Sequence, residues 1–174
     1  MLEIEVKVRV ADIRLMHTKL LELGAGLLKE RHRETNTLYD FRSRSLLAKC
    51  QALRVRSVGK KAYMTFKGTP QKSRKFKVRE EFETEVKNAQ HLKKILKSLG
   101  FAPVFSYEKL RTVYKKGNLR ICLDETAAGN FLELEGEREK IARFLGLLKI
   151  PKKDWIKLDY IQLLQKAGKK GRVP

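Results

Sequence analysis

Residues 2–10, Leu-Glu-Ile-Glu-Val-Lys-Val-Arg-Val, alternate apolar and charged side chains without a break. A period of two is the mark of a β-strand, whose successive side chains point to opposite faces. One face carries Leu2, Ile4, Val6, Val8 and Val10. The other carries Glu3, Glu5, Lys7 and Arg9, two carboxylates followed by two cations. Taken alone, that second face fits either a solvated surface laced with cross-strand ion pairs or a charged interior. The rest of the chain has to decide between them.

The same pattern recurs. Segments 52–58, 62–67, 78–86, 107–114, 119–124 and 131–136 alternate in the same way, and each has one apolar and one polar face. Their polar faces hold Arg54 and Arg56; Thr65 and Lys67; Arg79, Glu81, Glu83 and Glu85; Lys109 and Arg111; Arg120 and Asp124; Glu133 and Glu135. Gly59-Lys60-Lys61, Lys116-Gly117-Asn118 and Ala128-Gly129-Asn130 supply turns. Helical spacing appears at 12–24 behind a capping Asp12, from Asn88 to Leu99, at about 138–149, and as a short helix expected over Trp155–Lys166. Residues 28–42 read as an extended stretch. Residues 68–77 read as a basic loop rich in Lys and Arg.

If the leucine-rich helices cover the apolar strand faces, the charged faces share the other side of one sheet. Seven or eight such strands can close into a barrel just wide enough for side chains or one small ligand. The expected fold class is therefore α+β, a barrel with a polar, charged interior and α-helices packed on the outside. Burying so many charges requires pairing, solvation or ions. Arginine forks and lysine ammoniums suit phosphate oxygens. Paired glutamates two residues apart on adjacent strands suit a hard divalent cation.

Composition sets the remaining bounds. With 174 residues, 42% of them apolar, the chain is long enough for one domain with a real core. The net charge of +20 attracts polyanions without choosing among them. No apolar run reaches the length of a membrane span, and no signal peptide is visible, so a cytoplasmic location with no membrane partner is expected. Cys50 and Cys122 lack metal-ligand spacing and read as free thiols. None of His17, His32 or His91 falls on an alternating charged face, which leaves no histidine base.

These residues, in order, resemble the CYTH domain family, also called triphosphate tunnel metalloenzymes. The likeness runs through Glu3-x-Glu5-x-Lys7, Tyr39-Asp40, Leu53-Arg54-Val55-Arg56 and Thr65-Phe66-Lys67-Gly68. It continues through Arg79-x-Glu81-x-Glu83, Lys109-x-Arg111, Leu123-Asp124 and Gly129-x-Phe131-x-Glu133-x-Glu135, and Leu158-Asp159-Tyr160 resembles the closing segment. Asn36 stands where many members have Asp, and Asp159 where Ser is common. The resemblance implies a closed eight-stranded antiparallel tunnel over residues 1–167, followed by a basic tail at 168–174. It also implies a triphosphate bound with Mg²⁺ or Mn²⁺.

Carried over by position, the resemblance makes Glu3, Glu5, Glu133 and Glu135 the expected metal ligands, with Asp124 joining them or holding a metal-bound water. Lys7, Arg54, Arg56, Lys67, Lys109 and Arg111 would contact phosphate, flanked by Arg79 and Arg120. Of these, Lys7, Arg56, Lys67 and Arg111 form the expected catalytic set. Arg79, Glu81 and Glu83 are open between a second metal, substrate positioning and structural ion pairs. Arg9 and Glu85 lie at strand ends and are expected in solvent, and Cys122 is expected to be a small filler. The implied substrates are a nucleoside triphosphate, thiamine triphosphate or tripolyphosphate, acted on by an adenylate cyclase or a triphosphatase. A non-catalytic RNA or polyanion binder is the remoter reading, since carboxylates on the same faces would repel a nucleic-acid backbone. A homodimer is compatible with the sequence.

Overall fold

The computed structural model describes residues 2–168; the basic tail expected over 168–174 therefore lies outside the described residues apart from Gly168. Eight strands form one closed antiparallel barrel in the order β1-β5-β4-β3-β2-β6-β7-β8. They are β1 (Leu2–Val10), β2 (Gly26–Asp40), β3 (Ala52–Val58), β4 (Lys61–Lys67), β5 (Lys77–Val86), β6 (Ala102–Lys116), β7 (Leu119–Thr126) and β8 (Gly129–Glu135). Two-residue turns join β3 to β4 and β6 to β7. Gly59 and Gly117 adopt φ near +56° and +57° there, as such turns require.

The helices are α1 (Ile13–Glu22), α2 (Ser45–Ala48), α3 (Ala89–Ser98), α4 (Arg138–Leu147) and α5 (Tyr160–Lys166). Asp12 caps α1 by accepting from the backbone N–H groups of Arg14 and Leu15. The Asp40 carboxylate accepts from the N–H groups of Phe41, Leu46 and Leu47, which ties the end of β2 to α2. Helices α1 and α4 bury Leu20, Ile141, Phe144 and Leu145 on the outward residues of β1, β7 and β8, among them Val6, Val8, Ile121, Leu132 and Leu134. Helix α3 sets Leu96 against Tyr39, Leu53 and Val55. The apolar faces of the strands thus lie under helices, and the charged faces look inward.

Two segments depart from the periodicity. The first is β2, which is a 15-residue strand with register irregularities at Leu27/Lys29, Lys29/His32 and Leu38/Tyr39. Those shifts break the alternation that would reveal a strand to pattern reading.

The second is the helix expected over Trp155–Lys166. Residues 152–154 make a 3-10 turn, residue 156 is a β-bridge, and the helix begins only at Tyr160. Strand β1 pairs with β5 only from Leu2 to Glu5, and with β8 from Glu5 to Val10. Beyond Glu5 the β5-side edge of β1 is taken by Ile156, which exchanges backbone hydrogen bonds with Lys7 at 3.0 and 2.7 Å. An unpaired backbone edge outweighs a local helical pattern here. Asp159 then starts α5 with a capping box.

Helix α5 does not lie on the outside. Tyr160, Leu163 and Leu164 pack with Ala128, Phe131, Phe105 and Tyr107, inward-facing residues of β6 and β8 and their neighbours. One end of the charged interior is therefore apolar and occupied by α5. The expected mutational pattern follows from this division. Leu145→Ala, at a fully buried site, should cost about 3 kcal/mol in urea unfolding. Leu147→Ala, on the exposed side of the same helix, should change stability by less than about 0.5 kcal/mol.

Candidate active site

The barrel encloses a cavity of about 700 Å³. That falls within the usual range for small-molecule sites. Nine cations and eight carboxylates line it. The interior is close to neutral, so nearly all of the chain's +20 lies elsewhere. The lining charges form three linked clusters, each built across strand neighbours.

The deepest cluster joins β1, β6, β7 and β8. Lys7 lies 2.9 Å from Glu5 and 3.0 Å from Glu133. Arg111 reaches Glu133 at 2.8 Å and forks onto Asp124 at 2.6 and 2.5 Å. Lys109 donates to Asp124 at 3.2 Å, and the Tyr160 hydroxyl also donates to Asp124. Asp124 is fully buried, and all four of these bonds end on its two oxygens. Burial opposes charge on Glu133, but Lys7 and Arg111 outweigh it and hold its carboxyl well below the usual range. Burial likewise opposes charge on Lys7, and Glu133 and Glu5 override it and raise its pKa. For Lys109 the balance falls the other way, because burial and then the nearby Arg111 lower its pKa.

The second cluster joins β2, β3, β4 and β5. Arg56 bridges Glu83 at 2.8 Å and Glu34 at 3.4 Å. Arg54 reaches Glu83 and Thr65 at 3.3 and 3.2 Å. In the third cluster Lys67 is held by Glu3 at 3.0 Å and by Glu81, and Arg79 lies 3.5 Å from Glu3. Glu3 and Glu81 sit side by side. Burial first, then the hydrogen bond with Glu81, raises the pKa of Glu3. Glu135 lines the same wall. Burial, then repulsion from Glu3 and Glu133, pushes its pKa up to about 7. Arg120 lines the cavity opposite Glu135 in the β7–β8 register.

The structure thus gathers Glu3, Glu5, Lys7, Arg54, Arg56, Lys67, Arg79, Glu81, Glu83, Lys109, Arg111, Arg120, Glu133 and Glu135 around one cavity. Arg9 and Glu85 face solvent; Arg9 lies over the Phe131 ring, and Glu85 pairs with Lys61. Cys122 is buried, and burial pushes its thiol up to about 11. Among the described residues, no three His, Cys, Asp or Glu side chains already form a metal cage.

Pattern reading missed several cavity residues. Glu34 is 2% exposed and lies between Arg56 and Lys109. Burial would raise its pKa, but Arg111, Lys109, Arg56 and Arg54 together bring it down to about 2. His32 also lines the cavity, with Nε2 3.4 Å from Glu34 and Nδ1 2.7 Å from the Glu30 carbonyl. The expectation that every histidine lies off the tunnel is therefore corrected for His32. Both residues sit on β2, whose bulges hid their parity. Lys77, expected in the basic loop, is the first residue of β5 and pairs with Asp159 at 3.0 Å. Tyr160 belongs to the site because α5 turns into the barrel, and Tyr107 because it shares the inward face of β6 with Lys109 and Arg111. Asn36, on the same inward face, is fully buried, and neither of its side-chain polar atoms has a protein partner.

Glu34 gives a direct test of this electrostatic wall. Its folded pKa lies below the unfolded value of 4.5, so its stabilisation is full above pH 4.5 and is lost as the pH falls towards 2. Glu34→Gln should be less stable than wild type by about 3 kcal/mol near neutral pH. The gap, followed by urea unfolding, should narrow steadily below about pH 4.5.

Comparison with known proteins gives a consistent picture. A sequence model described as the CYTH domain matches residues 1–154. A Methanocaldococcus jannaschii protein named "putative adenylate cyclase" is 30% identical over 174 residues, spanning 94% of this chain and 98% of its own. The solved structure of a Pyrococcus horikoshii protein matches with a TM-score of 0.78 at 27% identity, covering 92% of this chain and 98% of that one. A Hippeastrum protein, named a "putative adenylyl cyclase" and described as having a dominant triphosphatase activity, matches at TM-score 0.69 and 20% identity. That match covers 97% of this chain and 96% of the other, and at this identity it speaks for the fold alone.

Proposed function

This chain belongs to the CYTH domain family, and we propose that it is a divalent-metal-dependent enzyme that turns over a triphosphate inside its barrel, most simply ATP to cyclic AMP and pyrophosphate. The observation that carries this reading is the composition of the cavity wall. Cations sufficient for a polyphosphate and a set of oxygen-only ligands face one another in about 700 Å³.

A triphosphate carries several negative charges, which must be neutralised before a nucleophile can approach. Lys7, Lys109 and Arg111 on one wall, and Arg54, Arg56 and Lys67 on the other, bind and orient the phosphates. Arg79 and Arg120 flank them. Each of the six is held by carboxylates in the free protein, so binding is an exchange of a carboxylate partner for a phosphate oxygen. The arginine forks fix orientation as well as charge.

The donor set suits Mg²⁺ or Mn²⁺. Glu3 and Glu135 are carboxylates pushed towards protonation by burial, Glu3 further by its hydrogen bond with Glu81 and Glu135 by repulsion from Glu3 and Glu133, which is the situation a cation relieves. Glu5 and Glu133 stand beside them on β1 and β8. Mg²⁺ is usually held by one or two carboxylates, with substrate phosphates and water completing its shell, so a full protein cage is not required. When bound, such an ion stabilises charge on the phosphates and on the leaving oxygen. Asp124, already holding Arg111, Lys109 and Tyr160, serves the cations better than the metal. Glu81 and Glu83 fit structural ion pairing with Lys67, Arg54 and Arg56.

In cyclisation the ribose 3′-oxygen attacks the α-phosphorus, the bond to the bridging oxygen breaks, and pyrophosphate leaves. In hydrolysis water attacks a terminal phosphate. Hydrolysis is the alternative outcome, since the same cations and carboxylates would serve either attack. Purified protein with Mg²⁺ or Mn²⁺, assayed on ATP, tripolyphosphate and thiamine triphosphate, should release cyclic AMP and pyrophosphate from ATP. Inorganic phosphate without cyclic AMP would replace cyclase with triphosphatase. Glu135→Ala and Glu5→Ala should each lower turnover by about 100-fold or more. Full activity in both would remove the metal assignment.

A further inference from the structure

Six cations set a phosphate site, but a cation held by a carboxylate has its charge partly cancelled. Two of the deepest are also held by a neutral partner. The Tyr160 ring lies under the Lys109 ammonium at 4.6 Å and the Lys7 ammonium at 5.1 Å. Both lysines are buried to within 3% exposure, and they come from different strands, β1 and β6. The ring is itself 5% exposed and braced by Tyr107 and Phe131 at centroid distances of 6.2 and 5.8 Å. Its hydroxyl donates to Asp124, the carboxylate onto which Arg111 forks.

An aromatic face attracts an ammonium through its quadrupole and brings no formal negative charge. It can therefore fix the position of a lysine while leaving that charge available to a ligand. A carboxylate in the same place would compete with phosphate. Tyr160 sits on the first turn of α5, which enters the barrel because Ile156 completes the edge of β1. The tertiary arrangement thus brings one ring to two ammoniums and, through Asp124, to a guanidinium.

We propose that Tyr160 is a positioning residue for polyphosphate binding: its ring holds Lys7 and Lys109 in place at the closed end of the cavity, so that both stay in position when phosphate takes over from their carboxylate partners. This rests on the triphosphate reading above and adds a determinant of affinity supplied by α5. It assigns no chemical step to Tyr160.

The test compares Tyr160→Phe, which keeps the ring, with Tyr160→Leu, which removes it. Leu163→Ala loosens α5 through the same apolar cluster and leaves the ring intact. Calorimetric titration with sodium tripolyphosphate in EDTA reads binding separately from turnover, and thermal melts read stability. Tyr160→Phe should bind within about threefold of wild type, and Tyr160→Leu about tenfold or more weakly. Leu163→Ala should melt lower yet bind within about threefold. With turnover measured on the same variants, the Tyr160→Leu loss should fall mainly on KM and not on kcat.

Wild-type affinity in Tyr160→Leu would overturn the inference. So would an equal loss in Tyr160→Phe, which would place the effect in the hydroxyl, or an equal loss in Leu163→Ala, which would make it a matter of helix docking. A wild type that binds tripolyphosphate but turns over no triphosphate would sink the enzymatic reading and leave this inference to be decided by the binding series. A wild type that binds no tripolyphosphate in EDTA would overturn this inference, while the enzymatic reading would be decided by the turnover assays with Mg²⁺ or Mn²⁺.

Discussion

The structure depends on keeping buried charge paired. A carboxylate or ammonium removed from water is costly unless opposite charge and hydrogen bonds meet it closely. Here the two signs alternate around the barrel wall, so Lys7, Arg111, Lys109 and Arg56 each touch at least one carboxylate from a neighbouring strand. This network does not make the fold stable by itself. The apolar exterior under α1, α3 and α4 does that. The ion pairs make a polar interior tolerable, and in doing so they hold the cavity-lining groups in one geometry.

The same pairing changes the meaning of the net charge. A total of +20 invites the idea of a strongly positive tunnel. The lining is close to balanced, so most of the positive charge lies outside the cavity. On the triphosphate reading proposed above, phosphate would displace Glu5, Glu133, Glu34 or Glu83 from a cation. Glu135 stands apart, since burial and then repulsion from Glu3 and Glu133 push its carboxyl towards protonation.

The barrel seam is a second constraint. Strand β1 cannot satisfy its whole β5-side edge from β5, so Ile156 supplies the missing backbone partners and draws the following helix inward. That decides the shape of the cavity, because Tyr160, Leu163 and Leu164 then occupy one end of it. The likeness in fold to the Pyrococcus and Hippeastrum proteins covers more than nine-tenths of this chain.

The strict alternation of β1, β3, β4, β5, β7 and β8 was enough to separate core from cavity, because period two ties each side chain to a face whatever surrounds it. It set Val6 and Val8 under helices and Glu5 and Lys7 inside, as the structure has them. The ordered motifs carried the family for the same reason, being properties of spacing alone. Glu34 and His32 were hidden because bulges in β2 break the period on which such reading depends. Tyr160 was visible as a residue but not as part of the wall, and its place follows from a backbone edge on β1, some 150 positions away in the chain. Local pattern decided which face each strand would present. Only closure of the barrel decided which charges meet, which carboxylates repel, and which ring lies beneath the lysines, because those are relations between strands that no single stretch of sequence contains.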